Sequence, residues 1–158
     1  MVSARIYGGL GVALLIGLFL LWLWQPERQV KRHTGNLLHA IEQKNWASVA
    51  DFIGNDYQDQ WGDDRALVLE RIREVFRYLR SVRINTVDPN IKVDKHHGVC
   101  RARITVDGDG GEAMALVKER VNSLNTPFEL EWRRMSGKPW DWKLIRVANQ
   151  SLEISAGF

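Results

Sequence analysis

Residues 128–149 read FELEWRRMSGKPWDWKLIRVAN. Phe128, Leu130 and Trp132 alternate with Glu129, Glu131 and Arg133. A period of two puts the apolar side chains on one face of a strand and the charges on the other. MSGKPW carries Gly137 and Pro139 and reads as a turn, after which DWKLIRVA forms the returning strand. A hairpin with one apolar face belongs to an antiparallel sheet that is covered on one side. Helices elsewhere in the chain must supply that cover.

Working outward, VCRARITV (99–106) alternates in the same way, with Cys100, Ala102, Ile104 and Val106 on one face and Val99, Arg101, Arg103 and Thr105 on the other. VRINTVD (82–88) is a further strand; Asp88-Pro89-Asn90 breaks or bulges it, and IKVD (91–94) resumes it. DGDGGE (107–112) reads as a Gly-rich hairpin connection, AMALVKER (113–120) as the next strand and VNSLNTP as a loop.

Before the strands the period is helical. Val30, Leu37, Leu38 and Ile41 share a stripe with His33 and Thr34 in a helix from Glu27 to Lys44. NWASVADFIG gives a short second helix that stops at Gly54, and NDYQDQWG is a connector holding Tyr57 and Trp61. DDRALVLERIREVFRYLRS is the third helix, with Asp63 as its N-cap and Leu69, Ile72, Val75, Phe76 and Leu79 as its buried stripe. Its arginines interleave with Glu70 and Glu74, which reads as a solvated, salt-bridged face. With 22 Lys+Arg against 19 Asp+Glu, the balance gives no basic block for nucleic acid.

The residue types that suggest chemistry are few. His96 and His97 stand just before Cys100, the only cysteine. The histidines fall where a hairpin needs turn residues, and Cys100 falls on an apolar strand face, where a free Cys behaves as a small hydrophobe. His33 and His39 do not share a face as ligands four apart would. No metal site and no cofactor are expected. DGDGGE lacks the roughly 12-residue loop and closing Glu of an EF-hand.

Ile6–Trp24, IYGGLGVALLIGLFLLWLW, carries no charge. As a helix rising about 1.5 Å per residue it spans about 28 Å, against a hydrocarbon thickness of about 30 Å. Tyr7 at one end and Trp22 and Trp24 at the other suit the two interfaces, and Pro26 ends the helix. The run is longer than a signal-peptide core and has no small-x-small cleavage site. The expectation is an uncleaved single-pass anchor. Arg28, Lys31 and Arg32 beyond it favour a cytoplasmic domain, whereas the short N-terminal tail with Arg5 fits a signal-anchor that exports the C-terminal part of the chain; export is the reading taken. Gly9, Ala13 and Gly17 recur on one face, a spacing that permits helix–helix approach.

The order of elements resembles the nuclear transport factor 2-like (SnoaL-like, cystatin-like) cone, in which helices pack on a curved antiparallel sheet. AIEQKNWASVADFIGNDY (40–57), NIKVDKHHGVCRARITVDG (90–108) and the hairpin at 128–149 carry the resemblance, with Trp132, Arg133, Gly137, Trp142, Lys143, Leu144 and Ile145 in the closing hairpin. It implies an α+β fold with three helices on the sheet: residues 1–26 an anchor, 27–152 the domain, 153–158 a tail. Members of that family include lyases and isomerases with an Asp or His in the cone pocket, and many binding or assembly modules. Here Tyr57, Trp61, Phe76, Trp132, Arg134 and Trp142 would line the pocket. Asp56 and Asp59 are the carboxylates available to the enzyme alternative. The reading preferred is a non-catalytic binding or assembly domain. Its partners would be the bilayer through residues 6–24, a second copy through the sheet face or the Gly9/Ala13/Gly17 stripe, and a protein or small ligand of unknown identity.

Overall fold

The computed structural model describes the backbone of residues 2–153 and the side chains of residues 11–153. Expectations resting on the side chains of Arg5, Ile6 and Tyr7, on Gly9 as a packing residue, or on the tail after Glu153 lie outside the described residues.

The elements run α1 (Val2–Leu23), α2 (Pro26–Glu42), α3 (Trp46–Phe52), α4 (Arg65–Arg77), β1 (Ser81–Asp94), β2 (His97–Asp109), α5 (Gly111–Asn122), β3 (Phe128–Arg134) and β4 (Trp142–Ala148). One antiparallel sheet has the order β1-β2-β3-β4. The long β1–β2 ribbon continues past Asp88-Pro89-Asn90 with a register shift between Val87 and Asn90, the bulge that Pro89 imposes.

Local chemistry sets the helix ends. Pro26 opens α2, where its missing N–H is no loss. Gln29, buried, donates from its side-chain amide to the Leu23 carbonyl at 2.8 Å and so joins α2 to α1. Asn45 caps α3 by accepting from Ser48 N at 3.2 Å. The cap of α4 is Asp64, accepting from Leu67 N at 2.9 Å, one residue later than expected. Asp63 is instead buried and pairs with Arg71 at 3.0 Å. Val75, placed in the buried stripe of α4, is exposed. Leu69 and Leu79 are buried and Phe76 half-buried, so the stripe is narrower than its spacing suggested.

The main core is Val30, Leu37, Val49, Ile53, Tyr57, Leu69, Cys100, Leu130, Trp132, Trp142 and Leu144 with their neighbours. It lies where α2 and α3 pack on the sheet. At the centre of the α2–β2 contact stands Gly98. A Cβ there would come within 2.6 Å of Val30 Cγ2, so the glycine lets helix and strand approach closely.

Two expectations for the sheet need correction. AMALVKER is not a strand but most of α5, a helix inserted between β2 and β3, so among the described residues four helices rather than three accompany the sheet. Its Ala, Met, Leu, Lys, Glu and Arg are all good helix formers. The helix does something that a strand would not do. β3 pairs β2 only from His97 to Ala102, and beyond that point this edge of β2 has no strand partner among the described residues. Asn122 of α5 covers that edge, accepting from Val106 N at 2.8 Å and donating to Val106 O at 3.0 Å. DGDGGE is accordingly the end of β2 and the entry to α5, with Gly111 at φ 61°. The second correction is in the β1–β2 turn. The turn is Lys95-His96, with Lys95 at φ 51°, while His97 and Gly98 already belong to β2.

Met114 of α5 closes a second, smaller core with Leu79, Val82 and Val106. Among the described residues no helix is long and apolar enough to cross a membrane. The described side chains of α1 begin at Gly11, short of the about 20 residues that a bilayer requires.

Candidate functional site

The space between helices and sheet is where a cone of this kind would hold a ligand. Here two indoles occupy it. Trp132 is 0% exposed and Trp142 is 1% exposed. Trp142 donates from Nε1 to the Pro139 carbonyl at 2.9 Å, whereas the buried Nε1 of Trp132 has no partner among the described residues. His33 of α2 closes over them, its ring 5.9 Å from Trp132 and 5.9 Å from Phe52, edge-on to both. Its Nδ1 lies 2.8 Å from the Gln29 carbonyl, and burial holds its pKa below the ordinary value. Cys100 lies in the same layer. Burial pushes its thiol pKa up, which keeps it protonated and a poor nucleophile. The Thr34 hydroxyl faces this thiol and has no other hydrogen-bond partner among the described residues.

The two carboxylates considered for catalysis have other engagements. Asp59 is buried, and its Oδ1 accepts from Trp61 N and Asp63 N, both at 2.9 Å, which folds the 59–63 loop. Burial raises its pKa, and the two backbone N–H groups oppose that shift. The Tyr57 hydroxyl faces Asp59, and burial together with this neighbour pushes the phenol pKa far above its usual value. Asp56 lies at the surface and pairs with Arg133.

The six side chains expected to line one pocket are not brought together. Tyr57, Trp132 and Trp142 share the main core. Phe76 packs on the second core and meets Trp46 edge-on at 6.0 Å. Trp61 donates from Nε1 to the Leu152 carbonyl at 2.9 Å, pinning the end of the described chain. Arg134 points along the sheet to the β1–β2 turn, donating to His96 Nδ1 from Nε at 3.0 Å and from Nη2 at 2.7 Å. His97 lies 3.4 Å from Glu131 across the strands. Histidines and cysteine therefore go to different places: His96 to a turn, His97 to a cross-strand pair, Cys100 to the core.

Two shallow depressions lie outside this interior. One, about 320 Å³, is bordered by Asp51, Asn55, Arg65, Met135 and Lys143. The other, about 290 Å³, is bordered by Asn36, His39, Gln43, Ser48 and Phe52. In the first, Arg65 is already committed to the carbonyls of Ile53 and Ala50 at 3.1 and 2.9 Å, and Lys143 to that of Asp51. Arg133 and Lys143 thus reach toward the α3 side rather than standing free on the outer sheet face. The extra residue Ile145 in β4, at the register shift beside Glu131 and Trp132, re-aims this part of the hairpin. The outer face keeps Arg101–Glu129 at 2.8 Å and Arg146–Glu131 at 4.0 Å.

The architecture and the positions of its layers match solved structures. An aromatic ring hydroxylase, so proposed, from Novosphingobium aromaticivorans superposes with TM-score 0.62 at 15% identity, over 78% of this chain and 86% of that one. A nuclear transport factor 2-like protein from Cytophaga hutchinsonii gives TM-score 0.57 at 15% identity, over 78% and 95%. The fold is the nuclear transport factor 2-like cone. Bd1075 of Bdellovibrio bacteriovorus gives TM-score 0.59 at 10% identity over 77% of this chain, which spans only 39% of that larger protein. No protein-family model matches the chain, and no curated protein resembles it in sequence. At these identities the likeness establishes the fold and carries no activity with it.

One convergence escaped the sequence reading. The β1–β2 turn, the β3–β4 loop and the α1–α2 joint meet at one end of the cone. His96 contacts Arg134, and Trp24 lies 6.2 Å from Trp140. These segments are far apart in sequence, and no local pattern announces that they are neighbours.

Proposed function

We propose that the chain is a membrane-anchored, non-catalytic binding or assembly domain of the nuclear transport factor 2-like type. The observation that carries this reading is the filled cone: Trp132 and Trp142 occupy the volume in which a substrate would sit. The carboxylate-dependent lyase or isomerase alternative draws on Asp59 and Asp56, which are held by backbone N–H groups and by Arg133 respectively.

The anchor part of the proposal is supported by α1. Its backbone is helical from Val2 to Leu23, and Leu14, Leu15, Ile16, Leu18, Phe19 and Leu21 are more than half exposed. None of them joins either core. A contiguous apolar surface of this kind marks a membrane or protein contact. The test is fractionation: the full chain should sediment with membranes and leave them only with detergent, and deletion of residues 1–26 should release a folded domain. A full chain that stays in the supernatant without detergent refutes the anchor. The domain beyond α1 is proposed to lie outside the cytoplasm, which protease protection of inverted vesicles would test.

Self-association through the charge-mixed outer sheet face is proposed as weak, because obligate interfaces are more apolar. Sedimentation of the detergent-solubilised chain at low and high salt should show a dimer that fades with salt. A tight dimer indifferent to salt assigns the contact elsewhere, the α1 stripe being the other candidate.

A further inference from the structure

We propose that the β3–β4 loop, residues 135–141, rests on the headgroup layer of the bilayer that α1 enters, and that with the β1–β2 turn it forms a basic, aromatic surface for anionic lipid. This rests on the anchor reading above and adds to it a fixed orientation of the domain.

Three observations converge. First, the loop adjoins the point where the apolar run ends: Trp140 stacks obliquely on Trp24 at 6.2 Å. Trp22, just before it, carries the Arg28 guanidinium 3.4 Å above its ring. Tryptophans favour the membrane–water interface, and Trp22, in the last turn of α1, and Trp24, just after the helix, stand where the apolar run ends. Second, Trp140 and Met135 are about half exposed although the loop around them is tightly held. Met135 N donates to Asp141 O at 2.8 Å, and Asp141 N donates to Lys138 O at 3.2 Å. Trp142 ties the loop to the core through the Pro139 carbonyl. An ordered loop that holds out an indole and a thioether has a surface to offer them to. Third, the charge at this end is on balance positive: Lys95, Arg134, Lys138 and Arg28 gather here, against Asp94, Asp141 and Glu27. Lysine and arginine stems can lie along acyl chains while their charged ends reach the phosphates.

The joint is short and bridged, which favours a fixed orientation of the loop relative to α1. Only Trp24 and Gln25 separate α1 from α2, and the Gln29 side chain bridges them through the Leu23 carbonyl.

The test uses the full chain in phosphatidylcholine vesicles with or without phosphatidylglycerol. Single cysteines at Leu14→Cys, Gly137→Cys and Ala115→Cys carry an environment-sensitive fluorophore, quenched by a headgroup-spin-labelled lipid. Native Cys100 is buried, so the unmodified chain serves as the labelling blank. A side chain at position 137 meets nothing within 4 Å, and Ala115 lies on α5 at the other end of the sheet. The expected result is a blue-shifted, weakly quenched probe at 14, a strongly quenched probe at 137 in vesicles with phosphatidylglycerol, and an unquenched probe at 115. Lys138→Glu in the Gly137→Cys chain should reduce the quenching at 137. A buried probe at 14 with an unquenched probe at 137 overturns this inference and leaves the anchor standing. A water-exposed probe at 14 overturns the anchor reading and this inference with it. Quenching at 137 that ignores both phosphatidylglycerol and Lys138→Glu overturns the electrostatic part.

Discussion

Gly98→Ala adds one methyl group at the closest approach of α2 to the sheet. The new Cβ would stand 2.6 Å from Val30 Cγ2 and 3.4 Å from both a Trp142 ring carbon and Val93 Cγ2. Carbon atoms in good contact lie about 3.5–4.0 Å apart, so the Val30 contact alone is short by roughly 1 Å. Val30 is 0% exposed and β-branched, with one strongly preferred rotamer in a helix, so it cannot swing aside. The backbones must part instead, and overpacking of this kind costs about 1–3 kcal/mol. Val30→Ala alone removes the offending methyls at the cost of buried apolar area, roughly 1.5–3 kcal/mol. In the double variant the methyl at 98 enters the space that Val30 vacates. The two changes should therefore couple favourably by about 0.5–3 kcal/mol. Urea titration of the chain in a mild detergent, followed by far-ultraviolet circular dichroism, reads all four corners of this cycle. Strictly additive losses, or a Gly98→Ala midpoint equal to wild type, would falsify the close α2–β2 packing.

Two further outcomes concern the interior. Trp132→Ala should cost about 3–5 kcal/mol, as for other buried aromatics, and Trp132→Phe clearly less, because it also removes an indole N–H that has no partner among the described residues; an unchanged urea midpoint for Trp132→Ala would remove that indole from the core. His33 is held below its ordinary pKa of 6.5, first by burial and further by Arg32 and Lys143, with the Gln29 and Trp140 carbonyls opposing. A depressed histidine favours the neutral form in the folded state. Its contribution is present above pH 6.5 and is lost as the pH falls through the lower folded value. The midpoint should therefore drop on mild acidification, and His33→Phe should flatten that drop; an identical slope in the variant would rule out His33 as its source.

The parts of the fold legible in the sequence were those with one period and one neighbour. FELEWRR and DWKLIRVA announce a half-buried hairpin, and the structure buries Leu130, Trp132, Trp142 and Leu144. The α2 stripe is equally plain, with Val30, Thr34 and Leu37 buried. AMALVKER misled because Met114, Leu116 and Lys118 can be read at a period of two, yet Leu116 is exposed and only Met114 is buried. Its helix-forming composition was the signal to weigh, and the unpaired edge of β2 explains why a helix is there. The candidate pocket could not be judged from sequence at all. Whether an indole lines a cavity or fills it depends on the distance between layers. Gly98 and Val30 set that distance, and nothing local to either residue announces the other.

The β1–β2 ribbon joins two cores of unequal size. Toward its turn it lies under α2 and shares the large interior with β3 and β4. Past Ala102 it is backed by Leu79, Val82, Val106 and Met114, a small cluster of buried side chains. The bulge at Val87–Asn90 falls near the boundary between them. Stability is expected to divide along the ribbon into two cooperative units. The far end, with α5, can open as a unit against a small apolar loss while the indole-filled half and its joint to α1 stay closed. Amide protons of residues 103–109 and of α5 should therefore exchange faster than those of β3 and β4, and equal protection in native-state hydrogen exchange would remove the division. A domain divided in this way has one half that holds position and another half that is free to breathe.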